Sequence, residues 1–292
     1  MWFVRLEDFK DPSIKPEDIG QLVSNYEFFE YSAKNWAVHF RTAVILGLDS
    51  HILTTLSLEL CTDQEGRYVS WKLVFWPSFG SYIRINTFNN LHLASTLGLD
   101  FVVGQLLANP GIEVNTADEN SQTPLWHAAY EGHDGVVRQL LAAPSINVNA
   151  ADNDGWTPLW YAAYGGHNGV VRQLLATPSI NVNATDIKGK TPLWCAINKR
   201  NEQIVAQLLS APSIDVNAAD NAGWTLLWWA IIKGDERMVA QLLSAPSIDV
   251  NDAHKNGKTP LSIAQERGHE GIVKLLKIRA IVVADSPAKN SA

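Results

Sequence analysis

A threonine returns at a fixed interval along this chain. Thr123, Thr157, Thr191, Thr225 and Thr259 stand 34 residues apart, and the text around each is nearly the same. One more period back falls on Asn89, followed by NLHLASTLGLDFVVGQLLA, a worn first copy with His92 and Ala94 in register. Six copies therefore fill residues 86–280. A unit this short cannot bury its own apolar face, so the chain must stack its copies into a solenoid.

Each copy predicts one helix pair. In the copy GWTPLWYAAYGGHNGVVRQLLATPSINVNATD (residues 155–186), the Thr157 hydroxyl suits an N-cap and Pro158 suits the first helical position. Leu159, Ala162 and Ala163 form a narrow apolar face on which a neighbouring helix can approach closely. Gly166 fits a left-handed helix stop. Val170, Val171, Leu174 and Leu175 make the second helix amphipathic, and Pro178 cannot continue it. The stretch from Asp152 to Gly155 predicts a tight turn at the tip of an extended arm.

The pattern D-x-x-G-x-T-P-L-W-x-A-A-x-x-G-H-x-x-V-V resembles the ankyrin repeat, whose usual period of about 33 residues is exceeded here by one in the loop after the second helix. The expected fold is all-α: an ankyrin-repeat solenoid of helix pairs with short hairpin turns, six copies long, with an N-terminal helical capping region. Two departures stand out. Trp126, Trp160, Trp194 and Trp228 occupy the position where the family usually has histidine. The fourth copy carries Arg200 and Asn201 in place of Gly-His, which costs about 1 kcal/mol at a left-handed position and softens the middle of the stack.

The formal charge of −7 argues against a general nucleic-acid binder, which needs a basic stripe. Cys61 and Cys195 are the two cysteines, too few for a disulfide framework, which fits a reducing compartment: cytoplasm, with the nucleus also open. No run of about 18 apolar residues predicts a membrane span, and MWFVRLEDFK does not read as a secretory leader.

Residues 1–85 read as a helical region that caps the first copy. Residues 1–19 look loosely ordered, 20–46 and 50–61 read as helices, and RYVSWKLVFWP is open between helix and strand. FFEYSAKNWAVHFR, then SWKLVFWP, then LHLA is similar to the segment joining the nucleotide-switch domain to the ankyrin repeats in fungal NACHT-type, NLR-like proteins. That resemblance implies the sensor end of such a receptor, with a nucleotide-switch domain in cis or trans. In the last copy, Gln265, Glu266 and Arg267 suit a polar cap, and residues 281–292 read as a disordered tail.

No constellation points to catalysis, and an enzyme hidden in residues 1–85 has no motif behind it. Gly189-Lys190-Thr191 and Gly257-Lys258-Thr259 mimic the end of a phosphate loop, but Ala184 and Asp252 stand where its earlier glycine belongs. His133, His167 and His269 fall in separate copies, about 10 Å or more apart, too far to share a metal, and read as bonds to backbone between copies. Asp118, Asp152, Asp186 and Asp220 read as turn formers. Asn115, Asn149, Asn183, Asn217 and Asn251 follow valine at a site hydroxylated in some ankyrin proteins, or else satisfy loop backbone groups. No cofactor or metal is expected.

The ankyrin resemblance places the binding face on the turn tips and the exposed side of the first helix, which form the concave surface. Carried onto this sequence, those positions are Glu119, Asn120, Gln122, Tyr130 and Glu131 in the second copy, and Asn153, Asp154, Trp156 and Tyr164 in the third. They continue as Ile187, Lys188, Lys190, Asn198 and Lys199, then Asn221, Trp224, Ile232 and Lys233, then Lys255 and Lys258. A protein partner is implied. Trp156 and Trp224 are the expected exposed anchors, with packing against neighbouring turns as their alternative. The ridge grades from acidic near Glu119 to basic at Lys188, Lys190, Lys255 and Lys258.

Overall fold

The computed structural model describes residues 89–253 and 257–284. The expected cap at 1–85 with its helices, Lys255, and residues 285–292 lie outside the described residues. Twelve helices and no strand occur among the described residues, as six pairs. The pairs are α1 (Asn90–Leu97) with α2 (Asp100–Leu107), α3 (Pro124–Glu131) with α4 (Asp134–Leu141), and α5 (Pro158–Gly165) with α6 (Asn168–Leu175). They continue as α7 (Pro192–Asn198) with α8 (Glu202–Leu209), α9 (Leu226–Lys233) with α10 (Glu236–Ser244), and α11 (Pro260–Glu266) with α12 (Glu270–Ala284).

The caps form where the sequence places them. The hydroxyls of Thr123, Thr157, Thr191 and Thr259 each accept from the amide three residues on, with proline next in line. Thr225 makes no such bond; its copy has Leu226 in place of proline. First helices pack on first helices and second on second. Leu91, Leu125, Leu159, Leu193 and Leu227 line the seam at one repeat spacing, and Leu140, Leu174, Leu208 and Leu242 line the other layer. Each such side chain contributes roughly 1.5–3 kcal/mol by burial.

α12 runs to Ala284, four residues past the boundary expected at 280. No glycine or proline stands between Gly271 and Pro287 to stop it sooner.

Two polar ladders tie the copies together. Asn149 Nδ2 donates to the Ser179 carbonyl at 2.7 Å, and its Oδ1 accepts from the Asn181 amide at 2.8 Å. Asn115, Asn183 and Asn217 make the same double bond to the copy that follows. The valine-asparagine pairs therefore do satisfy loop backbone. On the second helices, Gln139, Gln173 and Gln241 each donate to a backbone carbonyl of the copy before.

A third link joins glycine to histidine. His133 Nε2 donates to the Thr96 carbonyl and His167 Nε2 to the Tyr130 carbonyl, both at 2.9 Å. A side chain at Gly98 or Gly132 would strike these rings, so the left-handed glycine (φ +77° at Gly132) also makes room for the next copy's histidine. His133 and His167 thus bond to backbone between copies, as expected, whereas His269 Nε2 is buried without the expected bond. At the fourth joint both partners change together. Arg200 takes the left-handed conformation (φ +57°) and pairs with Asp235.

Candidate functional site

The turns that carry the tips are built by aspartate. Asp152 Oδ1 accepts from the amides of Asp154 and Trp156, and Asp186 Oδ1 from those of Lys188 and Lys190. Asp118 and Asp220 do the same. Successive tips are stitched by Asn153 N to Asn120 O, Ile187 N to Asp154 O and Asn221 N to Lys188 O, each at 3.0 Å. The tip side chains are thereby held in a row beside the first helices.

Along that row lies a cluster of six rings from the second and third copies, with Tyr161 at its hub. Tyr161 meets Trp126 at 4.3 Å between centroids, Tyr130 at 5.1 Å, Trp160 at 5.3 Å, Trp156 at 5.4 Å and Tyr164 at 6.3 Å, all edge to face. Tyr130 stacks on Trp126, Trp156 on Trp160, and Tyr164 on Trp160. Edge-to-face and offset-stacked pairs are the favoured arrangements of ring quadrupoles, so the cluster is a rigid platform. Burial, then the Asp152 carboxylate, raises the Tyr161 phenol well above its usual range, keeping it neutral.

The platform is open at Tyr130 and Tyr164, each 44 % exposed. Trp156 and Trp224 are not the freely exposed anchors the sequence suggested. Both are half-buried. Trp156 lies on Trp160 and donates Nε1 to Asp186 Oδ2 at 3.3 Å, while Trp224 meets Trp228 at 5.6 Å. The tryptophans in the histidine column differ among themselves. Trp228 Nε1 donates to the Asp252 carbonyl at 3.1 Å, but Trp160 Nε1 is buried without a hydrogen bond.

Lysines take over in the fourth and fifth copies. Lys190 Nζ sits 3.7 Å over the Trp194 ring, Lys199 Nζ 3.7 Å over Tyr164, and Lys233 Nζ 4.8 Å over Trp229. Lys188, Asn198, Lys199 and Lys233 are exposed; Gln122, Glu131, Lys190, Ile232 and Lys258 are half-buried. Lys258 Nζ pairs with Glu266 at 2.6 Å.

Between the fourth and fifth copies the first helices α7 and α9 make the sparsest backbone approach of any such pair. The sequence explains this: Ile197 and Ile231 replace the second alanine of the earlier copies, and Trp229 adds a ring. An open pocket of about 230 Å³ results, lined by Ile197, Asn198, Arg200, Trp229, Lys233 and Met238 among others. Reading the sequence missed Tyr161, Trp229, Arg200 and Met238 as parts of this face. A signal existed for two of them, since the column after the tryptophan reads His127, Tyr161, Cys195, Trp229.

Burial pushes the Cys195 thiol up to about 12, so it carries no thiolate at neutral pH. Among the described residues no cluster of three potential ligands could hold a metal ion, and no helix is long and apolar enough to cross a membrane.

The family model described as "Ankyrin repeats (3 copies)" matches residues 91–186, 147–220, 179–254 and 213–284, which together span 91–284. A crystal structure of an ankyrin repeat domain from Acinetobacter baumannii is similar at 31% identity and a TM-score of 0.60, covering 65% of this chain and 97% of that one. A second solved ankyrin repeat protein is similar at 21% identity and a TM-score of 0.59, covering 64% and 96%. Among proteins of curated function, none matches the chain.

Proposed function

Because the chain belongs to the ankyrin-repeat family, we propose that it is a non-catalytic interaction module that binds a protein partner on its turn tips and first helices. This is the concave face of the family. The observation that carries the reading is a continuous row of rings and lysines on that face, braced from behind and open in front at Tyr130, Tyr164, Lys199 and Lys233. Tyrosine and tryptophan presented on a rigid support give large contact area at low entropic cost, which is why such residues dominate interface energetics. The surface of binding runs from Gln122, Tyr130 and Glu131 through Trp156 and Tyr164 to Lys188, Lys190, Asn198 and Lys199. It ends at Trp224, Ile232, Lys233 and Lys258. The working compartment is a reducing one.

Affinity capture from source-cell lysate tests this. Tyr130→Ala/Tyr164→Ala removes the two exposed rings of the cluster, and circular dichroism first checks that the variant keeps its fold. A protein bound by the wild type and lost by this folded variant supports the reading; capture of the same proteins by both variants counts against it.

The stretches FFEYSAKNWAVHFR and SWKLVFWP favour a finer reading, in which the chain is the ligand-sensing C-terminal part of a fungal NLR-like receptor. Ligand on the repeats would then release a nucleotide-switch domain in cis or trans. A nucleotide-binding domain encoded in the same transcript or a neighbouring gene, and co-purifying with the chain, is the expected finding. Absence of both sinks this reading and leaves the interaction module standing.

A further inference from the structure

The fourth joint differs from the other four in shape and in charge. Its pocket is lined by Ile197, Trp229 and Met238 together with Arg200, Asp235 and Lys233, and the Arg200 and Asp235 charges are spent on each other. A volume of about 230 Å³ is below that of ordinary small-molecule sites, roughly 300–1,000 Å³, and suits one inserted side chain. The apolar part of the lining selects a large apolar or aromatic one.

The charges around it select the neighbours of that side chain. Lys190, Lys199 and Lys233 each lie over a ring, and none reaches a carboxylate among the described residues. In a chain with 30 acidic and 23 basic residues, Lys233 at the pocket and Lys190 and Lys199 on the adjoining fourth copy, none with a carboxylate partner among the described residues, give this stretch of the face a sign opposite to the chain's own. The rings hold the ammonium groups in place while leaving them to accept further anionic contact. Ile187, 61% exposed at the tip beside Lys188, adds apolar surface to the same side. The second and third copies present Glu119, Glu131 and Asp154 instead. A long polyanion laid along the row would meet those carboxylates, so the acidic part of a ligand must be short.

Resting on the interaction reading above, we infer that the fourth joint anchors a short acidic segment of the protein partner. One large apolar side chain enters the pocket between α7 and α9, and flanking Asp or Glu residues meet Lys190, Lys199 and Lys233. The segment turns neutral or basic toward the third copy.

A peptide-display selection on the full chain tests this, followed by affinity measurement with the synthesised winner. The expected winners carry one large apolar residue flanked by acids. Binding should fall at least about tenfold in Lys199→Gln/Lys233→Gln, whose positions are exposed and whose fold is unaffected, and by a similar factor in Trp229→Ala. Added salt should weaken it in the wild type, and by a smaller factor in the lysine variant. Winners without acids, or winners insensitive to both variants, overturn the inference. If they are instead lost only in Tyr130→Ala/Tyr164→Ala, the interaction reading stands and the acidic anchor falls. A 12-nucleotide oligo(dT) that binds as tightly as the peptide would also overturn it. Enrichment of no peptide excludes a short-segment ligand, and the lysate capture then decides the fate of the broader reading separately.

Discussion

Arg200 of the fourth copy binds Asp235 of the fifth through a 3.0 Å ion pair, where three other joints seat a histidine against a glycine. The pair is a substitute for that packing and a weak one. The Arg200 side chain is 70% exposed, where ion pairs are worth about 0–1 kcal/mol, and its left-handed backbone costs a similar amount.

Asp235 also caps α10, its Oδ1 accepting from Met238 N at 3.2 Å, so the variant that isolates the strain is Arg200→Gly, which should stabilise the chain by up to about 1 kcal/mol. It should leave the pocket between α7 and α9 open, because Ile197, Ile231 and Trp229 remain. Urea unfolding reads the first effect and amide exchange in α9 the second. In the wild type, exchange across this joint should be the fastest of the internal joints. A destabilised Arg200→Gly variant would show that the Arg200–Asp235 pair outweighs the backbone strain.

The asparagine ladder makes a separate prediction. Asn183 Nδ2 donates to the Ser213 carbonyl at 2.6 Å and its Oδ1 accepts from the Asp215 amide at 2.9 Å. Asn183→Ala should cost about 1–3 kcal/mol, two hydrogen bonds' worth, although the residue is at the surface. Asn183→Asp should cost more, because a carboxylate oxygen would then face the Ser213 carbonyl. Thermal melts of the two variants, ranked against wild type, check the order.

Much of this structure is legible in the sequence, because a repeat states its own register several times. The threonine caps, the proline starts, the aspartate turns and the histidine-to-backbone bonds were all readable from one copy. The joints were harder. Gly132 and His167 are 35 residues apart, and their contact shows only when adjacent copies are compared column by column. The simultaneous loss at Arg200 and Asp235 is visible that way, but its pocket is not, since it depends on how far Ile197 and Trp229 push two helices. The face itself was placed by position in the repeat, which misjudged Trp156 and Trp224. Whether a ring at a turn lies flat or stands free depends on the ring beside it.

Acid should loosen the first joint. Burial, helped by the neighbouring His127, holds the His92 ring down to about 4, against 6.5 when free. Between these values the unfolded chain takes up a proton that the folded chain refuses. Stability is thus full above about pH 6.5 and falls as pH drops toward 4, by ~3 kcal/mol at about 1.4 kcal/mol per unit. Asp118 acts in the same direction. Burial opposes its charge, but the bond from His127 and two backbone amides outweigh this and hold its pKa below the ordinary value, so its contribution is also lost as pH falls. Urea unfolding at pH 7 and pH 4.5 should show the loss, with a shallower pH dependence in His92→Gln. An equal slope in both would assign the acid sensitivity elsewhere.

On the proposed reading the first-helix and turn face does the binding and the second-helix face does not. Its most direct test is site-specific photo-crosslinking in source cells. A photoreactive residue is placed at Tyr164 on the front of α5 or at Arg172 on the exposed side of α6. The expected result is a protein adduct from position 164 that is absent from position 172. Adducts from position 172 alone, or the same adducts from both, would contradict it.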